Sequence, residues 1–360
     1  MSSVVLEGHV LDVLGDIPDG FFDCCITSPP YYGLRSYDVP PVIWDGEENC
    51  QHQWGNEKTR PLNLQAGNPE FQRDWREHAS DNKSSQGQFC SLCGAWRGSL
   101  GLEPDYRLYI SHLIQIFNEV YRVLKKTGTC WVNIGDSYAS SGGASRHYGY
   151  QDPKYKNGRD GSYEEPTAYP QDKVQPKSLI QIPERFSIAM TDAGWIKRNT
   201  IVWHKPNCMP SSAKDRFTVD FEYVYFFTKQ GKYYFEQQFE GNQLSGKWNE
   251  PDNKYLHKTS GDGQTSQRDK FNRVGSITQG RNKRTVWTIN TKPYPEAHFA
   301  VFPDTLVEPA LSAGCPVDSW VLDPFAGAGT VGIVAKRQNK NFIGCELSSK
   351  YCQMAEKRIG

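Results

Sequence analysis

Short apolar runs alternate with stretches of helical periodicity along much of this chain. Phe21-Phe22-Asp23-Cys24-Cys25-Ile26 predicts a buried strand, being too short for a helix and rich in residues that pack well in sheets. Thr129–Ile134, Ser319–Asp323 and Asn341–Cys345 read the same way. From Pro104 onward, Leu108, Ile110, Leu113, Ile116, Phe117, Val120 and Leu124 give a broad apolar face, which predicts a helix ended by Gly128. Strand, helix and strand in that order form a crossover unit of a parallel sheet. Further helices are expected over Leu179–Ala193, stopped by Gly194, over Thr330–Arg337, and from Leu306. Strands are expected over Trp195–His204 and Tyr223–Thr228, the second in a hairpin with Tyr233-Tyr234-Phe235. The pattern predicts an α/β protein: a Rossmann-like, mostly parallel sheet with helices on both faces.

Three polar stretches interrupt that pattern. Residues 46–96 lack periodicity and carry Cys50-Gln51-His52 and Cys90-Ser91-Leu92-Cys93-Gly94. Cys50, His52, Cys90 and Cys93 supply four soft or borderline ligands, which suits a closed, structural Zn²⁺ site. A metal would also stabilise a segment with little apolar material of its own. Residues 139–175 are rich in Gly, Ser and Tyr, and a loop of that length inside a domain usually has a function. Residues 240–292 carry ten Lys and Arg against five Asp and Glu. The remaining segments, 1–45, 97–138, 176–239 and 293–360, are expected to form one core.

Two motifs carry the candidate chemistry, one at each end. Ser319–Asp323 runs into the turn Phe325-Ala326-Gly327-Ala328-Gly329 and then into the predicted helix from Thr330. A strand, a glycine turn and a helix form half of a nucleotide-binding unit. Glu346 ends the next strand, 23 residues beyond Asp323, where a carboxylate can accept hydrogen bonds from ribose hydroxyls. At the other end the first strand runs into Thr27-Ser28-Pro29-Pro30-Tyr31. Two prolines fix φ and remove two backbone donors, so nearby carbonyls stay available as acceptors. With an adjacent Tyr ring, the set suits a planar heterocycle that bears an NH2 group.

On these residues the chain resembles the S-adenosylmethionine-dependent DNA methyltransferases that modify exocyclic amines. The order, Ser28-Pro29-Pro30-Tyr31 first and Phe325–Gly329 last, resembles the β-type permutation of that family. Family-like pieces recur at Val132–Tyr138, Trp203–Pro206, Phe221–Phe227 and His298–Pro303. The resemblance implies a circularly permuted methyltransferase fold. It implies Ser28, Pro29, Pro30 and Tyr31 as the catalytic loop, and Asp136 at the border of the pocket. On residues alone, Asp136 reads equally as a helix cap or turn residue. Asp323, Phe325, Gly327, Gly329 and Glu346 would hold the cofactor, with Phe302 and Pro303 against it. Trp203 and Lys205 would flank the base or its phosphate. Residues 139–175 and 240–292 would recognise the DNA target. The family usually has an acidic residue after the first strand's glycine, whereas here His9 follows Gly8.

Ser-Pro-Pro-Tyr leans to cytosine N4 over adenine N6, with RNA or a protein amide as a further alternative. Ring-carbon methylation needs a Cys nucleophile, typically after Pro, and no proline here precedes Cys. The implied partners are double-stranded DNA and a cognate restriction endonuclease, and the protein itself is expected to be a monomer or homodimer. The formal net charge of the 360 residues is zero, so any affinity for DNA must come from local charge. No run reaches membrane-spanning length and no secretion signal is seen. Ten Cys therefore argue for reduced thiols or metal in a cytoplasmic protein, and the resemblance implies a prokaryotic or phage origin.

Overall fold

The apolar runs assemble into an eight-stranded sheet in a computed structural model. It describes residues 2–33, 39–57, 59–61, 83–85, 87–139, 174–175, 177–240, 281–292 and 302–360. The strands are β1 (Ser3–Glu7), β2 (Phe22–Thr27), β3 (Leu124–Ile134), β4 (Ile196–His204), β5 (Phe221–Thr228), β6 (Val286–Thr288), β7 (Trp320–Asp323) and β8 (Asn341–Glu346). Their order across the sheet is β1-β8-β7-β2-β3-β5-β4-β6. Only β5 runs against its neighbours, pairing antiparallel with both β3 and β4. The two ends of the chain therefore meet at the centre, where β7 lies beside β2.

Alternation along the strands divides the core between two faces. Cys25 of β2, Cys130 and Val132 of β3 and Tyr225 and Phe227 of β5 pack on one face. Cys24 and Ile26, Trp131, and Val224 and Phe226 pack on the other. The first face is covered by α1 (Val10–Gly15), α2 (Tyr106–Val123) and α3 (Ile182–Asp192). The second is covered by α4 (Asp304–Gly314), α5 (Thr330–Arg337) and α6 (Ser349–Ile359). The expected layered architecture is present.

Two expectations need correction. The helix from Pro104 ends at Val123, and β3 starts directly at Leu124, so Gly128 lies inside a strand. A Cβ at Gly128 would sit 3.0 Å from the Asp23 carbonyl oxygen and closer still to Leu124. The glycine thus permits close strand packing rather than stopping a helix. The hairpin partner of β5 is β4, and Tyr233–Phe235 is not a strand. Those aromatics are drawn in by side-chain packing, since the Phe235 ring stacks on Phe226 at 5.8 Å between centroids.

The polar stretch after β2 contributes short ladders. Val42–Trp44 pairs with Trp96–Gly98, which pairs with Gln88–Phe89. Trp44 and Trp96 stack on the His112 ring of α2, centroids 4.5 and 5.3 Å away. His112 is fully buried and bonds Glu103 at 2.9 Å and Asp45 at 3.1 Å. The insertion is thereby fastened to the helix that underlies the catalytic loop.

Of the expected target-recognition segments, residues 140–173 and 241–280 lie outside the described residues, as do His298–Val301. Phe239–Glu240 pairs with Arg281–Asn282, so the segment 241–280 leaves and returns at one ladder. Arg281 and Arg284 both pair with Glu240, and Lys292 pairs with Asp304. These three cations are thus engaged within the protein.

Candidate active site

Both motifs lie at the carboxyl ends of neighbouring parallel strands, where open α/β sheets bind ligands. Thr27, the last residue of β2, donates its hydroxyl to Asp323, the last residue of β7, at 2.6 Å. That bond joins residues 296 positions apart and sets the Ser28–Tyr31 loop beside the glycine loop. The Asp323 carboxylate also accepts from the Phe325 N–H at 3.0 Å. Complete burial pushes the Asp323 carboxyl up to about 7, although the Thr27 and Phe325 hydrogen bonds pull the other way.

The two glycines of the second loop do different work. Gly327 has φ +49°, and a Cβ there would meet nothing nearer than 4.0 Å, so its outer side is open to a ligand. Gly329 has φ +78°, and a Cβ there would come within 3.1 Å of the Ala355 backbone in α6. It serves helix packing as well as the turn. Glu346 accepts from Gly327 N–H at 2.9 Å and from Ser348 N–H at 2.8 Å, and burial raises its carboxyl. Thr330 Oγ1 is buried at the start of α5 and has no partner among the described residues. An open glycine, a buried carboxylate and an orphan hydroxyl fit a nucleoside-type cofactor that brings its own polar groups. Phe302 and Leu306 line a small cavity with Thr27 and Asn133, and Pro303 leads into α4.

The Ser28–Tyr31 loop is held from below. Tyr109 of α2, fully buried, donates to the Pro30 carbonyl at 2.7 Å. The ring of Tyr31 crosses Gly135, where a Cβ would fall 2.6 Å from it. Tyr31 hydroxyl lies 2.8 Å from Glu222 Oε2 and 3.0 Å from Asn133 Oδ1. Lys205 pairs with Glu222 and rests 4.3 Å from the centre of the Trp203 ring. Asn133, Glu222 and Tyr109 were absent from the sequence-based site. Their only advance signal was position, since the first two lie within the family-like pieces.

Three expected positions have other surroundings. Asp136 accepts from the N–H groups of Ser137, Gln181 and Ile182 at 2.8, 3.0 and 3.0 Å. It anchors the N-terminus of α3, in line with the cap reading. Trp203 is buried, and its indole donates to Ile289, so it packs rather than offers a face to a base. His9 is half-buried, edge-on to Trp44, with Nε2 lacking a partner among the described residues. Burial lowers its pKa and favours the neutral ring.

In the insertion, ligand atoms of Cys50, His52, Cys90 and Cys93 all lie within 4.8 Å of one another. Cys50 and Cys90 sulfurs are 3.9 Å apart, and His52 Nδ1 is 3.4 Å from Cys93 Sγ. Zn–S bonds of about 2.3 Å set tetrahedral S–S edges near 3.8 Å, so the spacing fits a metal. Gly94, at φ +78°, closes the Cys-x-x-Cys turn, where the Leu92 N–H points to Cys90 Sγ at 3.4 Å.

A mostly parallel sheet with one reversed strand, a glycine loop and a Ser-Pro-Pro-Tyr loop defines the class of amino-group methyltransferases. Residues 22–357 match the model of the N6/N4 DNA methylase family, described as DNA methylase, and the chain belongs to that family of S-adenosylmethionine-dependent DNA methyltransferases. It is 32% identical over 357 residues to the type II methyltransferase M.Cfr9I of Citrobacter freundii, covering 99% of this chain and 87% of that one. It is also 32% identical over 358 residues to M.SmaI of Serratia marcescens, covering 99% and 91%. In fold it is similar to the PvuII DNA methyltransferase, cytosine-N4-specific, with TM-score 0.56, 14% identity and coverage of 99% and 86%. A putative DNA modification methylase from Thermus thermophilus, solved with S-adenosyl-L-methionine, matches with TM-score 0.51, 18% identity and coverage of 99% and 93%.

Proposed function

We propose that this protein methylates the exocyclic N4 amine of cytosine in double-stranded DNA, with S-adenosylmethionine as donor. The observation that carries the reading is the Thr27–Asp323 bond, which puts the Ser-Pro-Pro-Tyr loop beside the glycine loop. The bound cofactor supplies a methyl group on a sulfonium. Gly327 and Glu346 would hold it, with Phe302 and Pro303 against it.

A base amine is a poor nucleophile because its lone pair is delocalised into the ring. Ser28 hydroxyl and the Pro29 carbonyl would accept its two N–H bonds and favour a pyramidal nitrogen. The Tyr31 ring would stack on the base. Positioning of this kind supplies much of the rate, without a covalent intermediate. The base must leave the duplex stack to reach the loop. Ser28 is a neutral group in the first position of the tetrapeptide, and this favours cytosine over adenine. Residues 139–175 and 240–292 would read the DNA target. The type II names of the relatives support a cognate restriction endonuclease as partner and a cytoplasmic setting. Among the described residues, no helix is long and apolar enough to cross a membrane. The Cys50–His52–Cys90–Cys93 cluster would bind a structural Zn²⁺.

The test is methyl transfer from labelled S-adenosylmethionine to mixed-sequence duplex DNA, followed by nucleoside mass spectrometry. N4-methylcytosine, lost in Ser28→Ala, is the expected product. N6-methyladenine would transfer the mechanism to adenine. Label in RNA or protein but not DNA would overturn the substrate assignment.

A further inference from the structure

Behind the catalytic loop, β3, β4 and β5 deliver three side chains to one point. Asn133 is the next-to-last residue of β3, Lys205 follows β4, and Glu222 is the second residue of β5. Asn133 Nδ2 donates to Glu222 Oε2 and to the Tyr223 carbonyl, each at 3.1 Å. With both amide protons committed to acceptors, Oδ1 must face the hydroxyls of Tyr31 and Ser28. Lys205 Nζ binds the other oxygen, Glu222 Oε1. Side-chain exposure is 16% for Lys205 and 19% for Glu222, so the pair is largely shielded from water. The Lys205 ammonium thus faces the Glu222 carboxylate directly.

Counting protons gives the chain a direction. Tyr31 has one phenolic proton, and among the described residues it has three hydrogen-bonding oxygens within reach. Glu222 Oε2 is 2.8 Å away and charged, Asn133 Oδ1 is 3.0 Å away, and Ser28 Oγ is 3.4 Å away. Of these three the carboxylate is the nearest, and it takes the proton. Ser28 Oγ therefore does not receive the Tyr31 proton. Its own proton can turn to Asn133 Oδ1, 3.4 Å away. The Ser28 lone pairs are then left for an N–H from the target.

We propose that Glu222, held by Lys205, is a positioning residue that keeps Ser28 an acceptor by drawing the Tyr31 proton away from it. The inference rests on the amine-methylation reading. Glu222 acts through Tyr31 and Asn133 and touches neither the base nor the cofactor. Without its charge, Tyr31 can donate to Ser28, and the Asn133 amide can turn over. Both changes occupy or misdirect the oxygen that should receive the amine.

The experiment measures single-turnover methyl transfer to duplex DNA by the full chain, with cofactor and DNA affinities measured separately. Glu222→Gln keeps shape and removes charge. Its rate is expected to fall about 10- to 100-fold, the scale of a misplaced reacting group. Both affinities should stay within about twofold, since no ligand contact is lost. Glu222→Gln combined with Tyr31→Phe should be no slower than Tyr31→Phe alone, because the effect runs through the phenol. Lys205→Gln should lose less than Glu222→Gln, and it carries the same cycle if Glu222→Gln does not fold. A parental rate in either single variant, or losses that multiply in the double variant, would overturn the proposal. Weakened DNA binding at an unchanged rate would do so too. A parent protein that methylates no amine would instead defeat the functional reading on which the inference rests.

Discussion

At the scale of single residues, the carboxylate of Asp323 is the most sensitive group in the site. Its folded pKa is raised from 3.8 to about 7, chiefly by burial. The folded chain therefore keeps a proton that the unfolded chain has already lost between those values. Stability of the cofactor-free protein should fall as pH rises through that window, by at most about 4 kcal/mol from this group. The sign is opposite to that of Asp304, whose carboxyl is drawn down to about 2 by Lys292, with Arg337 adding to the effect. Thermal melts at pH 5 and pH 8 provide the check. The parent should lose more stability between them than Asp323→Asn, and an identical loss in both would refute the assignment. The open side of the same loop has a related consequence. A cationic donor bound near Asp323 favours the ionised acid, so binding near pH 7 should release protons. Calorimetry in buffers of different ionisation enthalpy would register that release.

At the scale of elements, the two loops were legible in the sequence because their chemistry is local. Prolines, glycines and a terminal carboxylate announce a turn and a ligand wherever they occur together. The Thr27–Asp323 and Tyr31–Glu222 bonds were not legible, since contacts across 296 and 191 positions leave no periodic trace. The missed Tyr233–Phe235 arrangement has a similar cause, because ring stacking holds aromatics against the sheet without a strand ladder. The insertion lies between these cases. Its four candidate ligands were visible as spacing, but its attachment to α2 through Trp44, Trp96 and His112 was not. That attachment would make loss of a bound metal consequential, since α2 also supplies Tyr109 to Pro30. Purified protein is expected to hold about one zinc per chain, and Cys93→Ser to lose it with a thermal midpoint lower by at least about 5 °C. Metal analysis showing none in the parent, or an unchanged midpoint in the variant, would remove the structural zinc.

At the scale of the whole molecule, permutation decides which cuts the protein can survive. The Ser28–Tyr31 loop and the glycine loop come from opposite ends of the chain, but β7 pairs directly with β2, and β8 with β1. Two core clusters, one on each face of the sheet, combine strands and helices from both halves. The connecting segment 241–280 leaves and rejoins the body at the Phe239–Glu240 and Arg281–Asn282 ladder, where Glu240 pairs with Arg281 and Arg284. The residues proposed to hold the cofactor lie at the ends of β7 and β8, whereas target reading is proposed for the basic segment together with residues 139–175. A single nick inside 241–280, at an engineered protease site, should therefore leave the halves associated and the cofactor affinity within about threefold, because no contact in the central sheet is cut. Methylation of DNA should fall much further, and with a steeper dependence on DNA concentration. Dissociation of the nicked halves under native conditions would show that the connection holds the site together. Full DNA methylation by the nicked protein would move target recognition away from this segment, toward residues 139–175.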